Sequence, residues 1–379
     1  MLREEHLMLR SALREFAQSR LAPFAAQWDR DHTFPKDALR ELAGLGCFGI
    51  AVPEPYGGAG MDYTAVAVAL EEIAAGDGGV STVISVNNCP VCAILLNFGS
   101  EAQKQQFLQP LASGSKLGAF CLTEPHVGSN AAALKTTAVR DGHHYVLNGV
   151  KQFITSGKHA DYAIVIAVTD KAGGKRGMSA FIVPTDTPGY TVARLEEKTG
   201  QHSSDTAQIL FDNCRVPDSH RIGDEGEGYR IALSSLEGGR IGIAAQSVGM
   251  ARAAFEAALK YAKERESFGQ PIFEHQAVNF RLADMATQIE AARQLVLHAA
   301  ALRDAGVPCL KEAAMAKLFA SEMAERVCSD AIQVHGGYGY VTDFPVERIW
   351  RDVRVCQIYE GTSDIQRIII GRELARAHG

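Results

Sequence analysis

The spacing of apolar residues changes twice along this chain of 379 residues, and these changes constrain the fold more than any other feature. Residues 1–119 repeat apolar side chains at helical spacing, residues 120–225 carry short runs typical of strands, and residues 226–379 return to helical spacing. Clustered strands favour an antiparallel sheet over a doubly wound parallel one. We therefore predict an α+β chain with an N-terminal helical domain (1–119), a middle antiparallel β domain (120–225) and a C-terminal four-helix bundle (226–379).

Individual segments support this division. The pattern predicts helices over 37–45, 63–75, 101–111, 276–305, 310–335 and 363–377. It predicts strands over 162–168, 179–183 and 208–211. Asp141-Gly142 between two short apolar runs indicates a hairpin, and Asn148-Gly149 repeats that turn chemistry. The Pro/Gly cluster at 52–58 is expected to be a loop.

Charge and hydropathy exclude several classes of protein. The chain has 38 basic and 44 acidic side chains, so its net charge of −6 argues against binding nucleic acid or anionic membranes. No run is expected to approach the roughly 18 apolar residues of a membrane span. The N-terminal residues lack the basic start and apolar segment of a signal peptide. We expect a soluble, cytoplasmic protein, with an organellar matrix as the alternative.

The eight cysteines are spread over the whole length, unlike those of a disulfide scaffold. Cys89-Pro-Val-Cys92 has the spacing of redox or zinc sites, but a structural zinc site needs two further ligands at short spacing. Its simpler interpretation is a pair of small buried side chains. We therefore predict no metal site, while a redox or metal role remains the alternative.

The usual motifs of NTPases, hydrolases and Rossmann enzymes are missing from the sequence. Two segments of the β region could instead meet a flat polar ligand. The segment 120–130 leads from apolar residues into a turn rich in hydroxyls, although a plain loop with a helix cap would look the same. Phe153 and Thr155 place an aromatic ring and a hydroxyl on one strand face, which is also common at ordinary strand ends.

Three segments of the C-terminal region can each be interpreted as either a structural or a ligand-binding or catalytic feature. Arg265 follows a long helix, where it either complements the helix dipole or reaches a phosphate. Gly336 and Gly337 either stop a helix or let a pyrophosphate approach the backbone. Glu360 stands just before a helix cap, either solvated or buried with the raised pKa of a general base.

In this order and spacing, the motifs closely resemble the acyl-CoA dehydrogenase family of flavoproteins over essentially the whole chain. The segments that carry the resemblance are Cys121-Leu122-Thr123-Glu124-Pro125, Arg265 with Phe268-Gly269, His335-Gly336-Gly337, and Tyr359-Glu360-Gly361-Thr362-Ser363. The resemblance implies the three-part fold described above, with FAD between the β domain and the bundle of one subunit and touching a neighbouring subunit.

The resemblance also implies roles for individual residues. FAD would be bound by Phe120, Cys121, Leu122, Thr123, Gly128, Ser129, Phe153, Ile154, Thr155, Arg265, Phe268, Gln276, Gln333, Gly336, Gly337, Thr362, Ser363 and Asp364. Of these, Arg265, Phe268 and Gln276 would reach the FAD of the partner subunit, and Gln333, Gly336 and Gly337 would meet its pyrophosphate and adenosine portion. The acyl-CoA substrate would be contacted by Ser129, Glu237, Arg240 and Gly361. Glu360 matches the catalytic base.

The implied reaction is the α,β-dehydrogenation of an acyl-CoA to a trans-2-enoyl-CoA. Glu360 would take the α-proton while the β-hydrogen leaves as hydride, with the enolate stabilised by the Glu360 N–H and the flavin ribityl chain. Electrons would pass to an electron-transfer flavoprotein, and the assembly would be a homotetramer, a dimer of dimers. A flavin oxidase or monooxygenase of the same fold, or a non-catalytic acyl-CoA or flavin binder, remains the alternative.

Some positions depart from the family pattern or bear on its branches. Phe153 stands where tryptophan is frequent, and Asn130 and Glu237 stand where aspartate is common. Gly239 occupies the position from which isovaleryl-type members supply their base. No Arg or Lys occurs from residue 57 to 100 to hold a distal carboxylate, which disfavours glutaryl-type substrates. The sequence looks most like the short-chain group.

Overall fold

The computed structural model describes residues 2–377, and the chain before residue 118 is helical. The helices are α1 (Glu4–Phe16), α2 (Ala22–Asp31), α3 (Lys36–Gly44), α4 (Tyr63–Gly76), α5 (Gly78–Val86), α6 (Ala93–Phe98), α7 (Glu101–Gln103) and α8 (Gln109–Ala112). π-helical turns join α1 to α2, α5 to α6 and α7 to α8. The helices predicted over 37–45 and 63–75 are confirmed to within one residue. The helix predicted over 101–111 contains one of the π turns.

Aspartate side chains fix the starts of the two central helices. Asp62 accepts a hydrogen bond from the Ala65 N–H at 2.8 Å before α4, and Asp77 accepts one from the Val80 N–H at 2.8 Å before α5. Each cap satisfies a backbone donor that the first helical turn leaves free. Nearly every residue of both helices is buried, so they form the centre of this helical region.

The segment Gly78–Phe98, which comprises α5, a π turn and α6, is apolar enough to cross a membrane by length and composition, with a mean hydropathy of 1.6. The sequence expectation that no run reaches this level is therefore wrong. Its serines, threonine and asparagines interrupt the apolar run but lower an averaged hydropathy only slightly. In the structure 83% of its most apolar window is buried against α4, α9 and β1, so it is a core element of the fold.

The middle region forms one sheet of eight strands. They are β1 (Gly118–Cys121), β2 (Thr137–Asp141), β3 (His144–Thr155), β4 (Tyr162–Val168), β5 (Met178–Pro184), β6 (Tyr190–Leu195), β7 (Thr206–Pro217) and β8 (Arg221–Ile222). Their order is β6-β7-β3-β2-β4-β5-β8, and β1 also pairs with β4. The predicted strands and the hairpin at Asp141-Gly142 are confirmed.

Two features of the sheet differ from the sequence predictions. The sheet is mixed, because β1 pairs with β4 in parallel and Thr137 of β2 pairs in parallel with Val168. The remaining pairings within it are antiparallel. Asn148-Gly149 forms no turn but lies inside β3 at a shift in its register with β7. Gly149 has φ +149°, and a Cβ there would lie 2.5 Å from the Thr136 hydroxyl, so this glycine serves a close strand approach.

Helices return after residue 227. They are α9 (Gly228–Glu264), α10 (Gln276–Asp304), α11 (Leu310–His335), α12 (Val346–Val353) and α13 (Ser363–Ala377), and two short strands, β9 (Glu266–Ser267) and β10 (Gln270–Pro271), pair after α9. The bounds predicted for α11 and α13 are confirmed, and α12 is an addition. Helices α9, α10 and α11 pack on one another, and α13 packs on α11.

Helix α9 is the element that joins the helical regions, since it packs against both α4 and α11. Glycines allow this approach: a Cβ at Gly249 would lie 2.1 Å from the Glu71 carbonyl oxygen, and one at Gly238 would lie 2.2 Å from the Tyr63 hydroxyl. Glycine is unfavourable in helix interiors, so its repeated use here indicates a packing requirement.

Asn87 ties the helices to the sheet. Its amide nitrogen donates to the carbonyl oxygens of Phe48 at 2.8 Å and Leu111 at 3.1 Å, and its oxygen accepts the Gly118 N–H at 3.0 Å. The side chain is fully buried, so the partners have no access to water. One amide therefore satisfies backbone groups of the chain after α3, of α8 and of the start of β1.

We expect Asn87→Ala to lower the free energy of unfolding by about 2–4 kcal/mol, because it strands buried polar groups. Urea unfolding followed by circular dichroism measures this change. The control is Asn97→Ala, which removes an exposed amide from α6 and should cost less than about 0.5 kcal/mol. Equal unfolding midpoints for the two variants would contradict the role given to Asn87.

Candidate active site

Glu360 lies in the turn between α12 and α13, and its backbone is held in an uncommon conformation. Glu360 has φ +54° and Gly361 has φ +89°, both in the left-handed region. The Gln366 amide donates to the carbonyl oxygens of Glu360 at 3.2 Å and Gly361 at 2.7 Å. The helix cap expected just after Glu360 could be Thr362 or Ser363; in the structure it is Thr362, whose hydroxyl accepts the Ile365 N–H at 3.3 Å. The structure thus fixes the turn that presents Glu360.

The Glu360 carboxyl group lies directly against the backbone of α9. A Cβ built on Gly239 would be 2.7 Å from Oε2 and 2.9 Å from the carboxyl carbon, so only glycine leaves room for it. Oε2 is shielded from solvent and has no hydrogen-bond partner among residues 2–377. Burial raises the pKa of Glu360 to about 7, although the charges of Arg240 and Lys317 act in the opposite direction.

Arg240 places a buried guanidinium near this carboxyl group. Its side chain is 5% exposed, and its Nε and Nη1 find no hydrogen-bond partner within the described chain. Burial lowers the pKa of Arg240, while the charges of Glu360 and Glu237 raise it. Glu237 itself contacts Arg303 at 3.3 Å and the Cys309 thiol at 3.3 Å. Arg240 therefore has donors available to a ligand.

Small and apolar groups border α9 on either side of Gly239. The Tyr63 hydroxyl and the Cys89 thiol would lie 2.2 Å and 3.0 Å from a Cβ on Gly238. One turn further along, Ser85 and Leu70 would lie 2.9 Å and 3.1 Å from a Cβ on Gly242. These side chains come from α4, α5 and the π turn, so the helical region encloses the space beside α9.

The segment after β1 is anchored by a buried ion pair that the sequence analysis did not identify. The Lys151 ammonium lies 2.9 Å from the Glu124 carboxylate and donates to the Leu122 carbonyl oxygen at 3.0 Å. Glu124 also accepts the N–H groups of Lys135 and Thr136, at 2.7 Å and 2.9 Å. In the sequence, this ion pair was signalled only by the Thr123-Glu124-Pro125 motif and by a lysine within a strand.

This anchoring brings the two predicted ligand loops together. The Gln152 N–H donates to the Thr123 carbonyl oxygen at 2.8 Å, which joins the 120–124 segment to the end of β3. Thr123 is partly buried, and Cys121 and Ile154 are buried. Gly128 and Ser129 are exposed, and nothing lies within 4 Å of a Cβ on Gly128. The two loops are therefore adjacent in the structure.

The end of β3 has the properties expected of a cover for a flat aromatic group. Phe153 is held at φ +58° with its side chain 62% exposed, an uncommon combination for a large apolar residue. Ser156 is buried at φ +59°, and its hydroxyl has no partner in the described structure, like the buried hydroxyl of Ser363. An exposed ring and unpaired hydroxyls fit a planar ligand with polar edges.

A second group of predicted ligand residues forms a separate exposed surface. Arg265 stacks on Tyr338, 5.9 Å from the ring centroid, and His335 stacks on Tyr261 at 4.4 Å. Besides Arg265, this surface holds five other predicted residues, all of them exposed: Phe268, Gln276, Gln333, Gly336 and Gly337. Arg265 lies 26 residues beyond Gly239 along α9, or about 39 Å at 1.5 Å per residue. It therefore lies far from Glu360 within one chain.

The cysteine pair and one other cluster carry side chains of the kind that bind metal ions. Both Cys89 and Cys92 are buried, and burial raises the pKa of Cys89 to about 11. The Cys89 thiol donates to the Ser235 carbonyl oxygen at 3.0 Å, which agrees with the packing interpretation. Potential ligands also meet at Glu5, His6 and Asp62, but the Arg3 guanidinium already donates to Asp62 there.

Sequence profiles of one family match three consecutive parts of the chain. The profiles described as acyl-CoA dehydrogenase N-terminal, middle and C-terminal domains match residues 3–115, 119–214 and 226–375. The mitochondrial short-chain specific acyl-CoA dehydrogenase of Homo sapiens is 47% identical over 375 residues, which are 99% of this chain and 91% of the relative.

Solved structures agree with these matches. Butyryl-CoA dehydrogenase from Megasphaera elsdenii is 42% identical, with a TM-score of 0.97 over 99% of both chains. A chain from a structural study of the electron transferring flavoprotein of Acidaminococcus fermentans is 46% identical, also with a TM-score of 0.97 over 99% of both chains. The protein belongs to the acyl-CoA dehydrogenase family of FAD-dependent enzymes.

Proposed function

We propose that this acyl-CoA dehydrogenase converts a short-chain acyl-CoA to the trans-2-enoyl-CoA with Glu360 as the catalytic base. The observation that carries the assignment is the Glu360 carboxyl group, which is shielded against bare helix backbone at Gly239 with a pKa raised by burial to about 7. A carboxylate with this proton affinity is a far better base near neutral pH than a solvated glutamate.

The cofactor site is proposed on the shared surface of the two β loops and the start of α13. Phe153, Ile154 and Thr155 would cover one side of the FAD ring, and the 120–123 segment with Gly128 and Ser129 would border it. Thr362, Ser363 and Asp364 would complete the site from the Glu360 side; Ser363 has an unpaired buried hydroxyl. When bound, FAD accepts the hydride that leaves the β-carbon of the substrate.

The residues of this chain would bind the thioester and remove its α-proton. Glu360 Oε2, which has no partner within residues 2–377, is free to accept that proton. The Glu360 N–H would donate to the thioester oxygen, where negative charge develops. Arg240 and Glu237, with Ser129 and Gly361, would contact the CoA portion. The α9 backbone and the helical region border the carboxyl group and would limit the access of water to the reacting carbons.

The preference for a short acyl chain is supported by the walls beside Gly239. Leu70 and Ser85 approach α9 closely at Gly242, one turn from the carboxyl group, which leaves little depth for a long chain. The human and Megasphaera elsdenii relatives are named for short-chain and butyryl substrates. Anaerobic titration with acyl-CoAs of increasing length, followed by flavin absorbance, tests the preference; bleaching by long chains alone would contradict it.

An electron-transfer flavoprotein partner and a homotetramer are also proposed. The partner is supported by the similar chain from the study of such a flavoprotein. A second subunit is supported by the exposed surface of Arg265, Phe268 and Gln276, since it lies about 39 Å along α9 from Gly239 and needs a partner to reach a cofactor; the tetramer is what the family resemblance implies. Rapid oxygen uptake with substrate would instead favour a flavin oxidase. A cytoplasmic location stays a prediction.

We expect Glu360→Gln to keep bound FAD but to lose bleaching of the flavin by substrate, because the amide is nearly isosteric and cannot accept the α-proton. The loss in kcat should be at least about 10³-fold. The flavin absorbance of the purified variant, recorded before and after anaerobic mixing with acyl-CoA, measures both the bound FAD and its bleaching. Normal bleaching by this variant would show that another group is the base.

We expect kcat/KM to rise with pH and to level off above a kinetic pKa near 7. The sign follows from the raised pKa of Glu360: below about 7 the carboxyl group is protonated and inactive, and above it the base is free. Initial rates between pH 5.5 and 8.5 with an artificial electron acceptor measure the profile. A flat profile over this range would contradict a raised pKa.

We expect Gly239→Ala to lower kcat/KM by on the order of 10²-fold, because its methyl group displaces the carboxyl group by overlap at 2.7 Å. The matched control is Gly44→Ala at an exposed helix end, where nothing lies within 4 Å of the added Cβ. Wild-type activity in Gly239→Ala would mean that Glu360 does not rest on α9 in the working enzyme.

A further inference from the structure

Lys317 is a buried cation on α11 that the proposed mechanism does not use. Its side chain is fully buried, and its ammonium group donates to the Gly361 carbonyl oxygen at 2.7 Å. It forms no ion pair among the described residues, which distinguishes it from Lys151 with its carboxylate partner. Burying a lone charge is costly, so its presence calls for an explanation.

The carbonyl group that Lys317 contacts belongs to the turn that carries Glu360. The Gly361 oxygen receives two donors at 2.7 Å, the Lys317 ammonium and the Gln366 amide, and the same amide reaches the Glu360 oxygen at 3.2 Å. Both residues of this turn have left-handed φ angles. Such a conformation persists only when its surroundings hold it, and these hydrogen bonds do so.

Accepting Glu360 as the base, as proposed above, we infer that Lys317 is a positioning residue that acts on Glu360 in two ways. Through the Gly361 carbonyl group, it holds the Glu360 N–H and carboxyl group against α9. Through its charge, it stabilises the ionised carboxylate and keeps the base available at neutral pH.

Among the charged and titratable groups around the turn, Lys317 and Arg240 are the two that stabilise the ionised Glu360 carboxylate. Arg240 approaches from α9, Tyr63 and Cys89 from the helical region, Cys356 from the turn after α12, and Glu322 from α11 itself. Arg240 and Lys317 are the cations that lower the pKa of Glu360. Burial lowers the pKa of Lys317 to about 8, so the ammonium still carries its charge at pH 7.

The role of Lys317 is distinguished by separating its charge from its hydrogen bond. Lys317→Met removes both, Lys317→Gln removes the charge but keeps a donor, and Gln366→Met removes the second donor without changing charge. Lys171→Met, in an exposed loop, is the control for loss of one positive charge. Each variant is purified with FAD bound, and its melting temperature and flavin content are recorded.

We expect both Lys317 variants to raise the kinetic pKa of kcat/KM by roughly half a unit or more. Lys317→Met should also lower the plateau of kcat/KM by on the order of 10–100-fold. Gln366→Met should lower the plateau without moving the pKa, and Lys171→Met should change neither. A readout without turnover is the infrared band of the protonated Glu360 carboxyl group, taken as the difference from the matching Glu360→Gln protein.

A purely structural lysine would lower the melting temperature but leave both the kinetic pKa and the infrared titration at their wild-type positions, and that result would overturn the inference. If neither Lys317 variant folds, Gln366→Met decides the question. An unchanged plateau of kcat/KM would show that the hydrogen bonds to the Gly361 carbonyl group are not needed for activity, and it would overturn the inference. Failure of the proposed function is separate, since it would appear as inactivity of the wild-type protein on every acyl-CoA.

Discussion

The contact between the Glu360 carboxyl group and the backbone of α9 is the constraint on which the active site depends. A carboxylate loses hydration when it is enclosed, and its proton affinity rises accordingly. The protein encloses it by removing every side-chain atom at Gly239 and by turning the chain through left-handed conformations at Glu360 and Gly361. The catalytic carboxyl group therefore needs two distant segments of sequence to be folded against each other before it has useful chemistry.

Two buried lysines show different solutions to the cost of enclosing a charge. Lys151 has a carboxylate at 2.9 Å, and the pair fixes the loop after β1. Lys317 has only backbone carbonyl oxygen as a hydrogen-bond partner in the described structure. A fully paired charge exerts little field on its surroundings, whereas an unpaired one acts on whatever titrates nearby. The first arrangement suits a scaffold and the second suits a site where proton affinity matters.

Most of the architecture could be predicted from the sequence, because helical and strand periodicities are local properties. The bounds of α11 and α13 and the hairpin at Asp141-Gly142 were confirmed for this reason. The parallel pairing of β1 with β4 was missed because it depends on where the helical region delivers the chain to the sheet. The turn predicted at Asn148-Gly149 was wrong, because glycine also suits a strand position where a neighbouring segment approaches closely.

The sequence predicted which segments form the site, but it did not predict how their side chains are arranged in space. Family resemblance pointed to Glu360, whose individual role the structure leaves as a proposal. Nothing in the spacing indicated that Gly239 faces its carboxyl group or that Lys317 lies under its turn. These contacts join residues 44 and 121 positions apart, and one-dimensional patterns carry no information about such pairs. Buried lysines in otherwise apolar segments were the available signal.

The apolar segment Gly78–Phe98 has a consequence for the synthesis and folding of the nascent chain. Its cover includes α9, which ends at Glu264, so at least 166 further residues must be synthesised before that cover is complete. At roughly 5–20 residues per second this takes on the order of ten to thirty seconds. During that interval the nascent chain displays a stretch that membrane-insertion machinery and chaperones recognise, and the speed of translation thereby becomes a factor in whether the chain reaches its native state.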